Sequence, residues 1–542
     1  MDAFQWKFST RWVLPVALIV FLLPVISTEY NVLSFTHGVF SYPFDDTFIH
    51  LAIAKNIAFH GIWGISPYEF SSASSSVLYP LLLAGCMKLF GPLTALPLII
   101  NVLAGIMLIV VVQKWLSKQG LSGLAQLLGL LTLIILIPLP ALVVFGMEHT
   151  LQILFDFLFI YTFAAALEDK RPLPWSVYLY GVLVMAIRYE GMFIIAGACL
   201  LLIFKPHYSL ARRLISAAKL GLLSFLPILI FGLYAMSKGS YFFPNSVLVK
   251  SVAPPLTPEG IIRWLTYDIY TRLYYAHPTI GGLAIQRLLI IIPLVWLASS
   301  KTLGNIPVGR TILLLLIPTI LFHLWFANTS ILFRYEAYLI GCSIPVICAL
   351  AAKYLPNFLP EKWVLTQWVA LFVVFLLFIP VLLRAQAAFE LTTQGSINIY
   401  EQQYQMGQFV KKYYPNTPIA MGDIGAISFY SAGHNLDLEG LGNLDVARSR
   451  KNHYWTPDFL YSISKRDSVR FAIVFDRSYP WQLLTRWQKI ATWQIPNNVA
   501  CYSDLVSFYA VDSTYSPGLK ENLKDFQPLL PGDVIAQYFE LK

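Results

Sequence analysis

Two neighbouring aspartates, Asp45 and Asp46, begin the stretch DDTFIHLAIAKNIAFHG at residues 45–61. Two adjacent carboxylates can divide the work of acid–base catalysis, because one can take a proton from a hydroxyl while the other binds or orients the substrate. Their charges repel, so the pKa of one of them should rise unless a cation or a helix N-terminus lies close by. The pair is therefore the first candidate for a catalytic site, with a slight preference for Asp45 as the base.

The residues that follow the pair have the spacing of a helix. Ile49, Ile53 and Ile57 recur every four residues, and Gly61 ends the pattern as a glycine just past a helix C-terminus does. The sequence therefore predicts a helix that starts near the aspartates. One of the two could instead be the N-cap of this helix, where its side chain would accept a bond from a first-turn N–H.

The composition indicates a membrane protein. Of the 542 residues, 57% are hydrophobic and only 12% are charged, against roughly 25% charged residues in soluble domains. The net charge of +9 is explained by Lys and Arg in cytoplasmic loops, and no basic run with interleaved aromatics points to nucleic acid. The five cysteines suggest neither a disulfide framework nor a zinc site.

Apolar runs long enough to cross a bilayer recur through the first 389 residues. With the N-terminus in the cytoplasm, the flanking Lys and Arg residues all fall on the cytoplasmic side. The shorter run Val77–Phe90 is expected to dip into the outer leaflet, because counting it as a crossing would break this alternation. The prediction is about eleven spans, the first of them retained rather than cleaved as a signal: 12–28, 93–113, 121–144, 148–167, 174–188, 190–205, 213–236, 283–298, 309–326, 334–353 and 364–384.

The last part of the chain differs in composition. Only 14 of the 29 acidic residues lie in the first 389 positions, so 390–542 is predicted to be a separate α/β domain outside the membrane. Strand-like runs occur at Pro418–Met421, Val469–Phe475 and Leu505–Val511, and a helical patch lies at 400–413. The loops 29–92 and 237–282 should face the same side as this domain, and the helix after Asp46 should lie along the membrane surface.

Several motifs, in their order along the chain, resemble those of the GT-C superfamily of membrane glycosyltransferases, and most closely its bacterial arabinofuranosyltransferase-like branch. The Asp-Asp pair lies in the first outward loop and is followed by Gly-x-Trp-Gly and a Ser-rich run. Tail segments at 421–426 and 437–441 resemble the outward-domain signature of that branch. The other matching motifs are Gly146-Met147-Glu148-His149-Thr150, Arg188-Tyr189-Glu190-Gly191, Phe243-Pro244-Asn245-Ser246 with Lys250, and Arg334-Tyr335.

The resemblance implies a mostly α polytopic protein of the inner membrane, with its active site on the extracytoplasmic side. It implies a polyprenyl-phosphate-linked sugar donor, a glycan or lipid-linked acceptor and inversion at the anomeric carbon. A metal is not required by such chemistry, although paired carboxylates could hold Mg²⁺ or Ca²⁺. The implied roles are general base for Asp45 or Asp46, donor-phosphate binding for Arg188, Lys250 and Arg334, and substrate binding for Glu148, Glu190, Asn245 and Tyr335.

Five of these residues also have a structural alternative. Glu148 could stabilise a helix end, Arg188 and Glu190 could form a structural ion pair, Arg334 could anchor a helix at the interface, and Lys250 could be a solvated loop residue. His50, His60 and His149 lack metal-ligand spacing, and Asp423 and Asp437 would fix turns.

Alternatives for the whole chain are an enzyme like the protein O-mannosyltransferases or the lipid A aminoarabinose transferases, and, in a different class, a transporter or flippase. A transporter would be expected to show paired repeats with broken helices at the midplane, and the sequence contains no such halves.

Overall fold

The computed structural model describes residues 9–169, 171–204, 209–250, 257–263, 266, 307–327, 334–358, 383 and 385–541. The predicted span 283–298 and nearly all of the predicted span 364–384 lie outside the described residues. Within the described ranges the membrane part is almost wholly helical. Its helices are α1 (Val13–Phe35), α2 (Asp45–His60), α3 (Leu78–Phe90), α4 (Leu96–Lys118), α5 (Gly123–Leu136), α6 (Leu139–Val144), α7 (His149–Glu168), α8 (Trp175–Ile187), α9 (Gly191–Phe204), α10 (Leu210–Ser237), α11 (Asn245–Lys250), α12 (Pro258–Arg263), α13 (Pro307–Phe326) and α14 (Ala337–Phe358).

The helices agree closely with the predicted spans. Among the described residues, five helices are long and apolar enough to cross a bilayer, and shorter apolar helices accompany them: the long ones are Thr10–Phe35, Leu96–Lys118, His149–Glu168, Leu210–Ser237 and Val308–Phe326. The predicted span 121–144 is divided into α5 and α6 at Pro138, because proline has no N–H to continue the helical ladder. The chain is a mostly helical membrane protein, and the count of eleven crossings stays a prediction.

The tail, which the structure describes at residues 390–541, contains a mixed sheet with helices around it, and the first of these helices begins before the tail, at residue 385. Its strands lie in the order β2-β1-β3-β5-β4-β6, with β1 parallel to β2 and β3 and the remaining pairs antiparallel. The strands are β1 (Ile419–Met421), β2 (Leu436–Asp437), β3 (Phe471–Val474), β4 (Gln488–Gln494), β5 (Leu505–Ala510) and β6 (Ile535–Tyr538). The helices are 385–399, a π-helical turn at Tyr400–Tyr404, α15 (Gln405–Tyr413), α16 (Gly425–Tyr430), α17 (Leu444–Lys451), α18 (Pro457–Arg466), α19 (Trp481–Leu484) and α20 (Ser516–Phe526).

The predicted α/β character of the tail is confirmed. The three predicted strand segments contain β1, β3 and β5, whereas β2, β4 and β6 were not predicted. The sequence of β4, QKIATWQ, gave no clear signal, because it carries polar residues at both ends. In the structure its pairing with β5 is irregular between Lys489 and Ala491.

Helix α2 joins the two parts of the molecule, since it packs against α3 on one side and against α16 of the tail on the other. Most of its side chains are buried, which explains why apolar residues occur all round it. The Phe48 ring lies 6.2 Å from the Phe429 ring, and Lys55 donates a hydrogen bond to the Phe429 carbonyl. A Cβ on Gly425 would lie 2.2 Å from the Asp45 carbonyl oxygen, so glycine permits this close approach.

Candidate functional site

The first turn of α2 places both aspartates at the junction with the tail. The N-cap position is Phe44, and no side chain caps this helix. The interpretation of Asp45 or Asp46 as the N-cap of α2 is therefore wrong. Both carboxylates instead lie in the first turn, where a negative charge interacts favourably with the helix dipole.

The Asp45 carboxylate binds the tail. Its Oδ2 accepts a hydrogen bond from the Gly425 N–H at 2.6 Å, and its Oδ1 accepts one from the Ala426 N–H at 2.8 Å. Burial raises the pKa of Asp45, the two N–H bonds oppose that rise, and the charge of Asp46 adds to it. Both oxygens of Asp45 thus hold the start of α16 against α2.

Two further tail aspartates were predicted to fix turns. Asp437 does so, because its carboxylate accepts hydrogen bonds from the N–H groups of Glu439 (2.7 Å) and Gly442 (2.5 Å). Asp423 differs, since it accepts a hydrogen bond from Gln403 at 2.7 Å. Its pKa is raised well above the usual value by burial and then by the neighbouring charge of Asp45.

Asp46 points in a different direction and forms an ion pair with Arg334. The distance from Asp46 Oδ2 to Arg334 Nη2 is 3.0 Å. The guanidinium Cζ lies 4.2 Å from the centre of the Phe44 ring and 5.2 Å from that of Tyr335, which are cation–π distances. Arg334 is therefore held in one place, next to a carboxylate and between two aromatic rings.

Behind this pair lies a buried cluster of charges around Arg188. Its Nη1 donates to Glu148 Oε1 at 2.6 Å, while its Nε and Nη2 donate to the two oxygens of Glu190 at 3.0 and 2.7 Å. The pairing of Arg188 with Glu190, considered as a structural alternative, is confirmed. Gly146, with φ of 66°, forms the turn that brings Glu148 here. Glycine is needed at this position because a Cβ would lie 2.5 Å from the Tyr42 ring.

Two contributors to this cluster were not predicted. Ser75 donates a hydrogen bond to Glu148 Oε1 at 2.7 Å, and His50 Nε2 lies 3.2 Å from Glu148 Oε2. A signal for His50 existed in the sequence, since it follows Asp46 by four residues and so shares its face of α2. Ser75 belongs to a serine run whose composition carried no such signal.

A cavity of about 530 Å³ opens beside these charges. One end is polar and is bordered by Asp46, Ser75, Arg188, Glu190 and Tyr335. The rest of the wall is mostly apolar and is formed by Met147, Tyr189, Met192, Phe193, Ala196, Phe243, Ser246, Val247, Leu248, Phe322, Phe326 and Ala327. The lining of the cavity thus combines a compact group of charged and polar side chains with a larger apolar surface.

Most of the predicted site residues meet at this cavity. Asp46, Glu148, Arg188, Glu190, Arg334 and Tyr335 lie in or directly behind its polar end. Asn245 lies next to it and lines a separate cavity. Lys250 ends α11, and its side chain lies outside the described part of the structure.

The described side chains do not suit a divalent cation at the aspartate pair. Both Asp45 oxygens accept amide N–H bonds, and Asp46 is paired with an arginine. Over the ranges that the structure describes, no group of three or more His, Cys, Asp and Glu side chains is placed to hold a metal ion.

Comparisons with known proteins identify the fold. A family model described as a domain of unknown function (DUF8728) matches residues 397–509, and no curated protein matches the chain by sequence. Over 94% of its length the chain is similar to the structure of ArnT from Cupriavidus metallidurans bound to undecaprenyl phosphate, of which it covers 99%, with 14% identity and a TM-score of 0.52.

A second similar structure is the oligosaccharyltransferase of Archaeoglobus fulgidus in complex with Zn and sulfate, with 12% identity, coverage of 95% of this chain and 77% of that one, and a TM-score of 0.49. The likeness to ArnT confirms the predicted GT-C fold. The predicted affinity with the arabinofuranosyltransferase-like branch stays a prediction.

The different directions of the two aspartates predict different effects of the same substitution. Asp45→Asn can accept only one of the two tail N–H bonds, so the amides of Gly425 and Ala426 should exchange hydrogen about 10-fold faster, as expected for loss of a hydrogen bond to a charged group. Asp46→Asn should leave them protected. Hydrogen exchange followed by mass spectrometry measures both, with the β5 peptide as internal reference. Equal deprotection by the two variants would contradict the assignment.

The raised pKa values of Asp45 and Asp423 predict a pH dependence of stability. A carboxyl whose pKa is raised in the folded protein supports folding at low pH, and this support is lost as the pH rises through the raised pKa. Asp423→Asn removes one of the two repelling charges and keeps an oxygen for Gln403. The melting temperature of the wild type, relative to this variant, should therefore fall as the pH rises from about 4 to 8. Parallel curves for the two proteins would refute this coupling.

Proposed function

We propose that this protein is an inverting glycosyltransferase, which moves a hexosyl or pentosyl unit from a polyprenyl-phosphate-linked donor to a glycan or glycolipid acceptor. The reaction takes place at the extracytoplasmic face of the inner membrane. Asp46 is the general base, rather than Asp45, because the Asp46 carboxylate borders the cavity while both oxygens of Asp45 are bound to the tail.

The single observation that carries the proposal is the divided lining of the cavity of about 530 Å³. A polyprenyl phosphate has a small anionic head and a long apolar chain. The cavity is lined by Arg188 and by Asp46, which holds Arg334 next to the lining, and otherwise mainly by aromatic and aliphatic side chains. Phe193, Phe322 and Phe326 form part of that apolar wall. The structure of ArnT with bound undecaprenyl phosphate supports this choice of donor.

Arg334 is the best placed cation for the donor phosphate. Among the described residues, its one carboxylate partner is Asp46, whereas the Arg188 guanidinium is already bound by both Glu148 and Glu190. An arginine that shares its charge between two carboxylates has little left for a third anion. Arg188 therefore positions the site, and Lys250 is proposed as a second phosphate contact.

During the reaction one negative charge is lost from Asp46 and one is gained by the donor phosphate, both next to Arg334. The acceptor hydroxyl gives its proton to the Asp46 carboxylate, and its oxygen forms a bond to the anomeric carbon. The bond from that carbon to the phosphate oxygen breaks on the opposite face, and its electron pair leaves with the phosphate. As Asp46 loses its charge, the phosphate gains one, so the guanidinium keeps an anionic partner throughout the transfer.

The buried residues behind the cavity hold the residues of its polar lining in position. Glu148 holds Arg188 and contacts His50 and Ser75, which fixes the polar end as one rigid unit. Tyr335 lies between two guanidinium groups, 5.7 Å from Arg188 Cζ and 5.2 Å from Arg334 Cζ. Glu190 and Tyr335, which both border the cavity, are proposed to bind sugar hydroxyls, with Glu148 supporting them from behind through Arg188.

The proposed base predicts the outcome of one substitution. Asp46→Asn should lower sugar transfer by about 10²- to 10⁴-fold, the usual contribution of a general base, because the amide cannot accept the proton. Transfer of a radiolabelled sugar from polyprenyl phosphate to a membrane acceptor fraction measures it. The matched control is Asp458→Asn, which changes a carboxylate that is 82% exposed on the tail and should retain full activity.

The same assay separates the alternatives. A donor panel with a hexose, a pentose and aminoarabinose identifies the sugar and distinguishes the related transferase classes. Full activity of a well-folded Asp46→Asn variant would rule out this residue as the base. Uptake of the lipid-linked sugar into liposomes without covalent transfer would overturn the proposal in favour of a transporter or flippase.

A further inference from the structure

A second cavity, of about 570 Å³, lies between α11 of the membrane part and α17 of the tail. It is bordered by side chains from both parts of the molecule, among them Tyr241, Asn245, Leu248, Arg450, Lys451 and Trp455. The proposed transfer reaction does not involve this cavity. Its position at the junction of the two parts and its lining both suggest a ligand.

The two cavities share a wall. Leu248 of α11 lines both of them, while Ser246 and Val247 line the first and Asn245 the second. The serine run anchors this short helix, since Ser246 donates to the Ser74 carbonyl at 2.9 Å and the Asn245 N–H donates to Ser72 Oγ at 3.3 Å. The next serine, Ser75, lines the first cavity. One segment thus sets the geometry of both.

The lining of the second cavity is cationic and aromatic. The Lys451 ammonium lies 4.4 Å from the centre of the Tyr241 ring, and the Arg450 guanidinium lies 4.8 Å from the Trp455 ring. Arg450 also pairs with Glu439 at 2.9 Å. In the part of the chain that the structure describes, no carboxylate pairs with Lys451, so its positive charge is uncompensated.

Buried polar atoms add a second, independent signal. Asn245 is only 2% exposed, and its Oδ1 has no hydrogen-bond partner among the described residues. The same holds within those ranges for Arg450 Nε and Trp455 Nε1. Unpaired buried polar atoms are costly in a native protein, and three of them belong to residues of one cavity wall. The cost of these atoms marks this wall as a polar part of the structure beside the cavity.

We infer that this second cavity is an acceptor subsite that binds an anionic saccharide, one that carries a carboxylate or a phosphate. Tyr241 and Trp455 offer flat faces for sugar rings, and Lys451 offers a charge for the anion. The shared wall at Leu248 places a bound chain next to the proposed donor cavity. Only the role of the ligand as an acceptor rests on the proposed transferase function, since binding can be measured without transfer.

The test is binding of defined oligosaccharides to the purified full-length protein by isothermal titration calorimetry. Trigalacturonate is the acidic probe, its methyl ester is the matched neutral probe, and mannose 6-phosphate separates phosphate from carboxylate recognition. The acidic trisaccharide should bind at least about 10-fold more tightly than its ester. Lys451→Gln should weaken acidic binding by about 10-fold and Lys451→Glu by more, with little effect on the ester.

A matched control is available on the same domain. Lys465 also lies over a tyrosine ring, 5.8 Å from the centre of Tyr461, but it does not line the cavity. Lys465→Gln should leave binding unchanged. Equal affinity for the acid and its ester, or equal effects of the Lys451 and Lys465 variants, would overturn the inference. Sugar transfer by a protein that lacks this charge preference would overturn the subsite alone, whereas charge-dependent binding without transfer would overturn only the proposed function.

Discussion

The arrangement of the site depends on the bond between the Asp45 carboxylate and the first N–H groups of α16. Successive residues of a helix point about 100° apart, so fixing Asp45 on the tail also fixes where Asp46 points. The tail is therefore part of the site. Among the described side chains in the first turn of α2, Asp45 is the one that accepts hydrogen bonds from α16. The close contact at Gly425 leaves little room for another orientation.

The second constraint is the balance of charge in a place with little water. Arg188 is almost completely buried and is bound by two carboxylates, one of which also contacts His50 and Ser75. Such a cluster is costly to form and more costly to break, since removing one partner leaves a buried charge unpaired. It supplies a rigid support. Asp46 and Arg334 form the pair whose partners change during the reaction. The Asp46 carboxylate is a quarter exposed and borders the cavity.

Much of the fold and many of the site residues could be predicted from the sequence. The directions of individual side chains could not, because they depend on contacts between residues that are far apart in the chain. The lengths of the apolar runs gave approximate bounds for most of the described membrane helices, and the placement of Lys and Arg grouped Glu148, Arg188, Glu190 and Arg334 with the aspartates. The separate directions of Asp45 and Asp46 were out of reach, because they depend on N–H groups 380 residues further along the chain. Asn245 was assigned to the same site as the others, but α11 turns it toward the second cavity.

The most direct measurement is an experimental structure of the protein with undecaprenyl phosphate bound. The account predicts that the phosphate lies roughly 3 Å from the Arg334 guanidinium, at charge-assisted hydrogen-bond distance, on the Asp46 side of the cavity. The polyprenyl chain should follow the wall formed by Phe193, Phe322 and Phe326. A phosphate bound at Lys451 in the second cavity, or one that leaves the Asp46 side of the first cavity empty, would contradict the central claim.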